Sequence, residues 1–484
     1  MSTVYSPPGV DVTVLDNPRL INLGEATRVT AIVGMGSMTR VVTDEAVVRG
    51  TGSIDYLAAF SAAGVAVSQI ASFAGIVEGL VSYAHISAGG GLYNAASASV
   101  DATGFLTWSG SGDDVPSSGN TYFVTYTYDV PASQFTPTLF NDKKLLTEKH
   151  GSESATTGIL SVAGAINLEN GAPAVLVSQA SGSAYNETAY KTAIDNLEKY
   201  NYIEQVVVVF PSGSVTRSQQ ETLLVYAFTH VGKMNQNRKE RGLMQGSPSD
   251  NFASDGFDAI GDPATAGTYT YRSTVLRSED SVYVVPSECA RTDESGNAMI
   301  LDGNFLASAV AGKHVAQRKR STPITGMPVA GITITNEKWT DFEMNFLAAN
   351  GCLVLESKSN FIKIRDAITT DPTSADTQEI SVISQKRLVK RSLRNGLENT
   401  YTGKGKVILP TTPNDVIATT EAILRSLVVQ GEIYGYGVND DPSTGETKIS
   451  AKQDPVEPRR IEVTCSIKYL YPLKYISVTV STYV

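Results

Sequence analysis

Apolar and polar residues alternate near both ends of the chain. SPPGVDVTV (6–14) sets Val10, Val12 and Val14 on one side of an extended segment, and YISVTVSTYV (475–484) sets Ile476, Val478 and Val480 against Ser477, Thr479 and Ser481. A period of two is the signature of a strand. Pro7-Pro8-Gly9 keeps the first segment out of helix, and Pro472 parts the last strand from the one before it. That preceding stretch, RRIEVTCSIKYLYP (459–472), reads as one half-buried antiparallel strand, with Ile461, Val463, Cys465 and Ile467 facing one way. Strands at chain ends either join their own sheet or complete the sheet of a neighbouring copy, and the pattern leaves both open.

Between the ends the periodicity changes several times. TRVTAIV (27–33) is a buried-type strand, followed by GMGS and the extended RVVTDEAVV. Residues 54–84 are Ala-rich with smeared periodicity, and helix or strand stays open there. From residue 86 to 150 small polar residues, turn signals and TYFVTYTYDV (121–130) describe a β-rich insertion. Strand and helix then alternate. APAVLVSQ (172–179), QVVVVFPSG (205–213) and SVYVVPS (281–287) are apolar strands of the kind buried on both faces. ETAYKTAIDNLEKY (187–200), residues 216–235 and FLASAVAGKHVAQ (305–317) carry helical periodicity, the first with Tyr190, Ala193, Ile194 and Leu197 on one face. In the last third, NDVIATTEAILRSLVVQG (414–431) is a helix with Asn414 as N-cap and Gly431 as its C′ stop. The fold class expected is a multidomain mixed α/β (α+β) protein. Its parts are an N-terminal arm (1–22), a discontinuous layered α/β core (23–85 and 151–345), the insertion (86–150) and an α+β C-terminal domain (346–484) ending in a strand arm (473–484).

The 484 residues exceed one ordinary core. Charged residues are 18% of the chain and the net charge is −10, a field that does not favour nucleic acid or an anionic membrane. No apolar run reaches 18 residues and no signal peptide precedes the first strand, so the expectation is synthesis in a cytoplasm with no membrane insertion. Cys289, Cys352 and Cys465 lie far apart without metal-ligand spacing. Cys465 is expected buried and inert, and an intersubunit disulfide stays open.

Candidate chemistry is thin. Gly34-x-Gly36 after a buried strand is where a dinucleotide fingerprint begins, but a third glycine and an immediate helix are missing. AGKH (311–314) and TGKGKV (402–407) lack phosphate-loop spacing. The four histidines, His85, His150, His230 and His314, show no metal-pair spacing. A Ser-His-Asp triad is left open, without a G-x-S-x-G elbow. Asp113-Asp114 and Asp440-Asp441 sit in turn-like stretches. The basic clusters NRKERG (237–242), QRKRS (317–321) and QKRLVKRSLR (385–394) lack interleaved aromatics. We read them as complementary to acidic patches on a partner or on another copy. No catalytic, cofactor or metal site is expected.

Several stretches, taken in order, resemble the contractile tail sheath proteins of tailed bacteriophages and related injection systems. They are PPGVDVTV, AIVGMGSMTRVVTDEAVV, AVAGKHVAQRKRSTPITGMPVAGI, LAANGCLVL with ITTDPTSADTQEISVISQKR, and EPRRIEVTCSIKYLYPLKYISVTVSTYV. The usual tryptophan-bearing sequence of the Pro segment and the Arg before the Thr of the 369–387 block are absent. The resemblance implies a structural protein, not an enzyme, that forms six-membered rings stacked helically around a tail tube. It implies tube, baseplate and tail-terminator partners, no cofactor, and a place in the virion tail after assembly in a host cytoplasm. It also implies roles. Val10, Val12 and Val14 would be the inward face of the N-terminal arm, and Ile476, Val478 and Val480 that of the C-terminal arm. Ile461, Val463 and Ile467 would lie in the receiving sheet. Helix 414–430, with Arg425, would face the tube, and 86–150 would project outward. A non-contractile filament or surface-layer protein, or an oxidoreductase using Gly34 and Gly36, are the alternatives.

Overall fold

The computed structural model describes residues 28–36, 39–48, 50–51, 54–56, 98–100, 105–108, 118–119, 121–129, 135–182, 185–211, 213, 215–246, 277–286, 288–293, 296–335, 339–358, 361–401, 407–437 and 449–473. Its centre is a nine-stranded sheet. In chain order its strands are β1 (Val29–Met35), β2 (Thr138–Phe140), β3 (Ala174–Ala180), β4 (Ile203–Val208), β5 (Gly242–Gly246), β6 (Ser281–Val285), β7 (Pro328–Val329), β8 (Cys352–Lys358) and β9 (Phe361–Ile364). Across the sheet they run β7-β9-β8-β6-β5-β4-β1-β3-β2. Strands β3, β1, β4, β5, β6 and β8 are parallel, and β2, β9 and β7 add antiparallel edges.

The apolar runs decide this arrangement. Ile203–Val208 and Ser281–Val285 are buried at every position, which requires cover on both faces. The cover comes from two helix pairs. Helices α2 (Ile159–Glu169) and α5 (Gly303–Val315) pack together, as do α3 (Glu187–Asp195) and α4 (Arg217–Gln236), while α1 (Lys143–His150) leans on α2. Their N-termini follow the local chemistry: Asp142, Asn186 and Asp302 accept backbone bonds as caps, and Thr216 with Gln219 closes a capping box on α4. The approach of α2 to α5 needs a glycine. A Cβ on Gly312 would stand 2.3 Å from the Asn167 carbonyl oxygen.

The remaining long helices are α6 (Asp341–Ala349), α7 (Ile380–Tyr401), preceded by the single turn Ala375–Gln378, and α8 (Thr412–Gln430). Val382, Val389 and Leu393 of α7 share a second apolar core with Leu424 and Leu427 of α8, Ile433, Ile467 and Tyr469. Small antiparallel pieces include Thr39–Val48 with Thr121–Asp129, Ser450–Gln453 with Ile461–Thr464, Gly435–Tyr436 with Ile467–Lys468, and two three-stranded sheets, Glu288–Thr292 with Ala298–Asp302 and Thr333–Ile334, and Phe105–Trp108 with Ile54–Tyr56 and Ala98–Val100. A mixed α/β, multi-sheet fold is therefore what forms.

Three expectations change. The helix expected to start at Asn414 begins at Thr412 with Thr411 as N-cap, because Pro413 suits the first helical turn, where no N–H is required. Gly431 does stop it, at φ 68°. The strand expected over 459–472 is broken into Ile461–Thr464 and Ile467–Lys468, which pair with different partners. Cys465 is half-buried, with its thiol pushed by burial up to about 11.

Candidate functional site

Helix α7 lies across the amino ends of β4, β5 and β6, and its basic face points into the protein. Arg387, Arg391 and Arg394 are spaced four and three apart, hence on one helical side. Arg391 reaches Glu204, the second residue of β4, at 3.0 Å. Arg387 binds Asp280, just before β6, at 2.7 Å and also approaches Glu204 at 3.9 Å. Arg394 pairs with Glu240, two residues before β5, and Lys386 with Glu279 at 2.8 Å. Arg320 adds a third guanidinium to Glu204 at 3.4 Å, and Arg238 closes on Glu398 of α7 at 3.1 Å. Glu204 is 1% exposed. Burial alone would push its carboxyl up; Arg320, Arg391 and Arg387 together hold it down at about 2. The Glu240 carboxyl is likewise lowered against its burial, by Arg394 and Arg391.

This network corrects the reading of the basic clusters as complementary to another molecule. Arg238 and Arg241 from the first cluster, Arg320 from the second, and Lys386, Arg387, Arg391 and Arg394 from the third spend their charge inside the chain. The helical spacing of the third cluster was visible in the sequence. Its acidic partners were not: Glu204 is a lone charge at the head of IEQVVVV, Glu240 sits between Lys239 and Arg241, and Glu279-Asp280 precede β6, with nothing local to mark any of them as a partner of α7.

His314 of α5 joins the same region. The Gln205 amide donates to its Nδ1 at 3.0 Å, so the proton sits on Nε2 and is given to Ser384 Oγ of α7 at 2.6 Å. A serine that receives the imidazole proton is not activated as a nucleophile, and both residues are buried. Asp195, Glu198 and His230 also converge closely enough for ligand atoms. Their partners are internal: Tyr226 donates to Asp195 at 2.9 Å, Lys233 to Glu198 at 2.5 Å, and Arg241 to His230 Nε2 at 3.4 Å. With Nε2 accepting, Nδ1 carries the ring proton and faces Asp195 at 3.8 Å.

The order β3-β1-β4-β5-β6 is that of sheets that bind nucleotides or flavins at the carboxyl end of the first strand. Here, among the described residues, the end of β1 is filled by side chains. Tyr190 is fully buried there; its hydroxyl donates to the Val209 carbonyl at 3.0 Å and accepts from Met35 N–H at 3.3 Å. A Cβ on Gly34 would meet Val209 Cγ2 at 2.7 Å, and one on Gly36 would meet Gln179 Cδ at 2.9 Å. These glycines admit neighbouring side chains.

The residues expected to carry assembly divide into two groups. Val10, Val12, Val14, Ile476, Val478 and Val480 lie outside the described residues. Ile461 and Val463 are half-buried in the ribbon with Ser450–Gln453, which rests on α8, whereas Ile467 is buried beneath it. Among the described residues the ribbon has no third strand, and a two-stranded ribbon is marginal by itself. Arg425 stands on the exposed side of α8, paired with Glu421 at 2.9 Å.

No family model matches the chain. Over essentially its whole length, 99% of each chain, the structure superimposes on the helical sheath of the anti-feeding prophage in its contracted state, with a TM-score of 0.56 at 12% identity. The chain has the fold of a contractile-sheath protein. A contracted sheath complex of an extracellular contractile injection system aligns with 99% of this chain and 98% of its own, TM-score 0.52 at 12% identity. A chain of the six-fold symmetrised anti-feeding prophage baseplate gives 0.52 at 13%, covering 99% and 100%. In sequence, 257 residues are 28% identical to the tail sheath protein of Mycobacterium phage Bxz1, covering 52% of this chain and 40% of that protein. The chain thus spans under half of the curated relative it matches, and its sheath-type fold agrees with the family resemblance of its sequence.

Proposed function

We propose that the chain is a structural subunit of a contractile tail sheath, which shortens around a tube and drives it through a host envelope. The full-length likeness to contracted sheaths carries this reading, and the identity to a phage tail sheath protein supports it. In this reading the subunits form six-membered rings stacked helically. The N-terminal arm (1–22) and the C-terminal arm (473–484) add strands to the ribbon containing Ile461 and Val463 in neighbouring copies. A strand making four to six backbone bonds contributes on the order of 5 kcal/mol, and a donor unlike its acceptor propagates the contact head to tail. The exposed side of α8, with Arg425, faces the tube, and the 86–150 insertion projects outward. Baseplate and tail-terminator proteins bound the assembly at its ends, in a virion tail built in the host cytoplasm. The work comes from two lattice packings of different free energy, not from nucleotide, which suits the closed end of the sheet at Tyr190.

Negative-stain microscopy of the purified full-length chain tests this. Hollow tubes of polymerised subunits are expected; compact particles at high concentration would overturn the reading, and filaments of one fixed repeat would favour a non-contractile polymer. Deleting residues 475–484 should abolish tubes while leaving a folded monomer, and unchanged tubes would exclude strand addition by that arm.

A further inference from the structure

We propose that the junction of the central sheet with α7 is an acid-sensitive lock whose sensor is His314. The imidazole is the one titratable ring that α5 places between β4 and α7, with one nitrogen on each: Nδ1 on Gln205, Nε2 on Ser384. Its surroundings are cationic. Arg320 follows α5, Arg387 comes from α7, and Glu204 of β4 already serves Arg320, Arg387 and Arg391. Lys313 is its neighbour on α5, and Glu432 accepts the Arg320 backbone N–H at 2.7 Å. Strands β1 and β5 carry no titratable side chain against it, and Glu169 of α2 is taken by Arg291.

A second proton has no good place here. It would enter at Nδ1, facing the Gln205 amide donor, and would add a fourth cation to one carboxylate. Burial, with Arg320 and Arg387, opposes Glu204 and brings the ring down to about 4. Glu204 stays ionised until about 2, and the Glu432 carboxyl, raised by burial, loses its negative charge on protonation and so adds nothing that would hold a second proton on the ring. Between pH 6.5 and 4 the folded ring therefore binds fewer protons than a released one, and acid favours release. The equilibrium for freeing α7 from the strand ends should rise on the order of 100-fold from pH 7 to 4.

The test uses the full-length chain and hydrogen exchange of α7 amides, corrected for intrinsic rate, from pH 7 to 4. Wild type should show the rise and His314→Gln, which keeps a donor and an acceptor but cannot titrate, should stay flat. Parallel rises in both, or flattening by His230→Gln instead, would overturn the proposal. If His314→Gln does not fold, NMR titration of wild-type imidazoles decides. The His314 ring staying neutral below pH 5 until α7 exchanges supports the lock, and a ring titrating near 6.5 with α7 protected refutes it.

Discussion

Replacing Glu204 by glutamine should be among the most damaging isosteric changes in the chain. The substitution keeps the shape of the side chain and removes its charge. Three guanidinium groups then lose the one buried carboxylate they share, Arg391 at 3.0 Å, Arg320 at 3.4 Å and Arg387 at 3.9 Å. The Glu204 carboxyl is held from an ordinary 4.5 down to about 2. At 1.4 kcal/mol for each tenfold change in acidity, the folded state prefers the carboxylate to the neutral acid by about 3 kcal/mol. Breaking a buried ion pair from one side costs roughly 3–5 kcal/mol, so the two routes agree. Because the folded value is depressed, this stability is present above pH 4.5 and is lost as pH falls through about 2. Urea unfolding of full-length wild type and Glu204→Gln at pH 7 measures the loss, with Glu148→Gln as control. The control breaks only the exposed Lys144–Glu148 pair, expected to contribute ~0.2–0.5 kcal/mol. A loss for Glu204→Gln no larger than the control's would refute the claim that the network fastens α7 to the sheet.

Asp302 should behave in the opposite way: burial raises its carboxyl to about 7 against the help of Asn304 N–H, so ionisation destabilises the fold progressively from pH 3.8 to 7. Asp302→Asn, still able to cap α5, should gain up to about 4 kcal/mol at pH 8 and little at pH 4, as thermal melts at both pH values would reveal. Gly312→Ala should cost about 1–3 kcal/mol by forcing α5 off the Asn167 carbonyl, whereas the same change at exposed Gly232 of α4, where an added Cβ meets nothing, should cost nothing; denaturant midpoints compare them. Arg425→Ala should leave the melting temperature unchanged while weakening co-sedimentation of polymerised protein with tail tubes, and equal co-sedimentation would remove Arg425 from the tube contact.

The parallel core was legible because unbroken apolar strands such as QVVVVF can be buried only under helices on both sides, and the helical face of Tyr190, Ala193, Ile194 and Leu197 is buried as its spacing requires. The end of α8 at Gly431 was legible because a left-handed residue there favours glycine. Periodicity missed the break between Thr464 and Ile467, since alternation continues through it and only the change of partner strand interrupts the ladder. The destination of the basic clusters was the larger miss. Sequence fixes the charge of Arg387, Arg391 and Arg394 and their common helical face. Whether that face meets water, another molecule or Glu204, Glu240 and Asp280 depends on where α7 crosses the sheet, and contacts between residues about 100 to 190 positions apart leave no local trace. Local chemistry thus determined the elements and their faces; the tertiary structure decided which faces meet, because burying a charge is favourable only where the fold supplies its opposite.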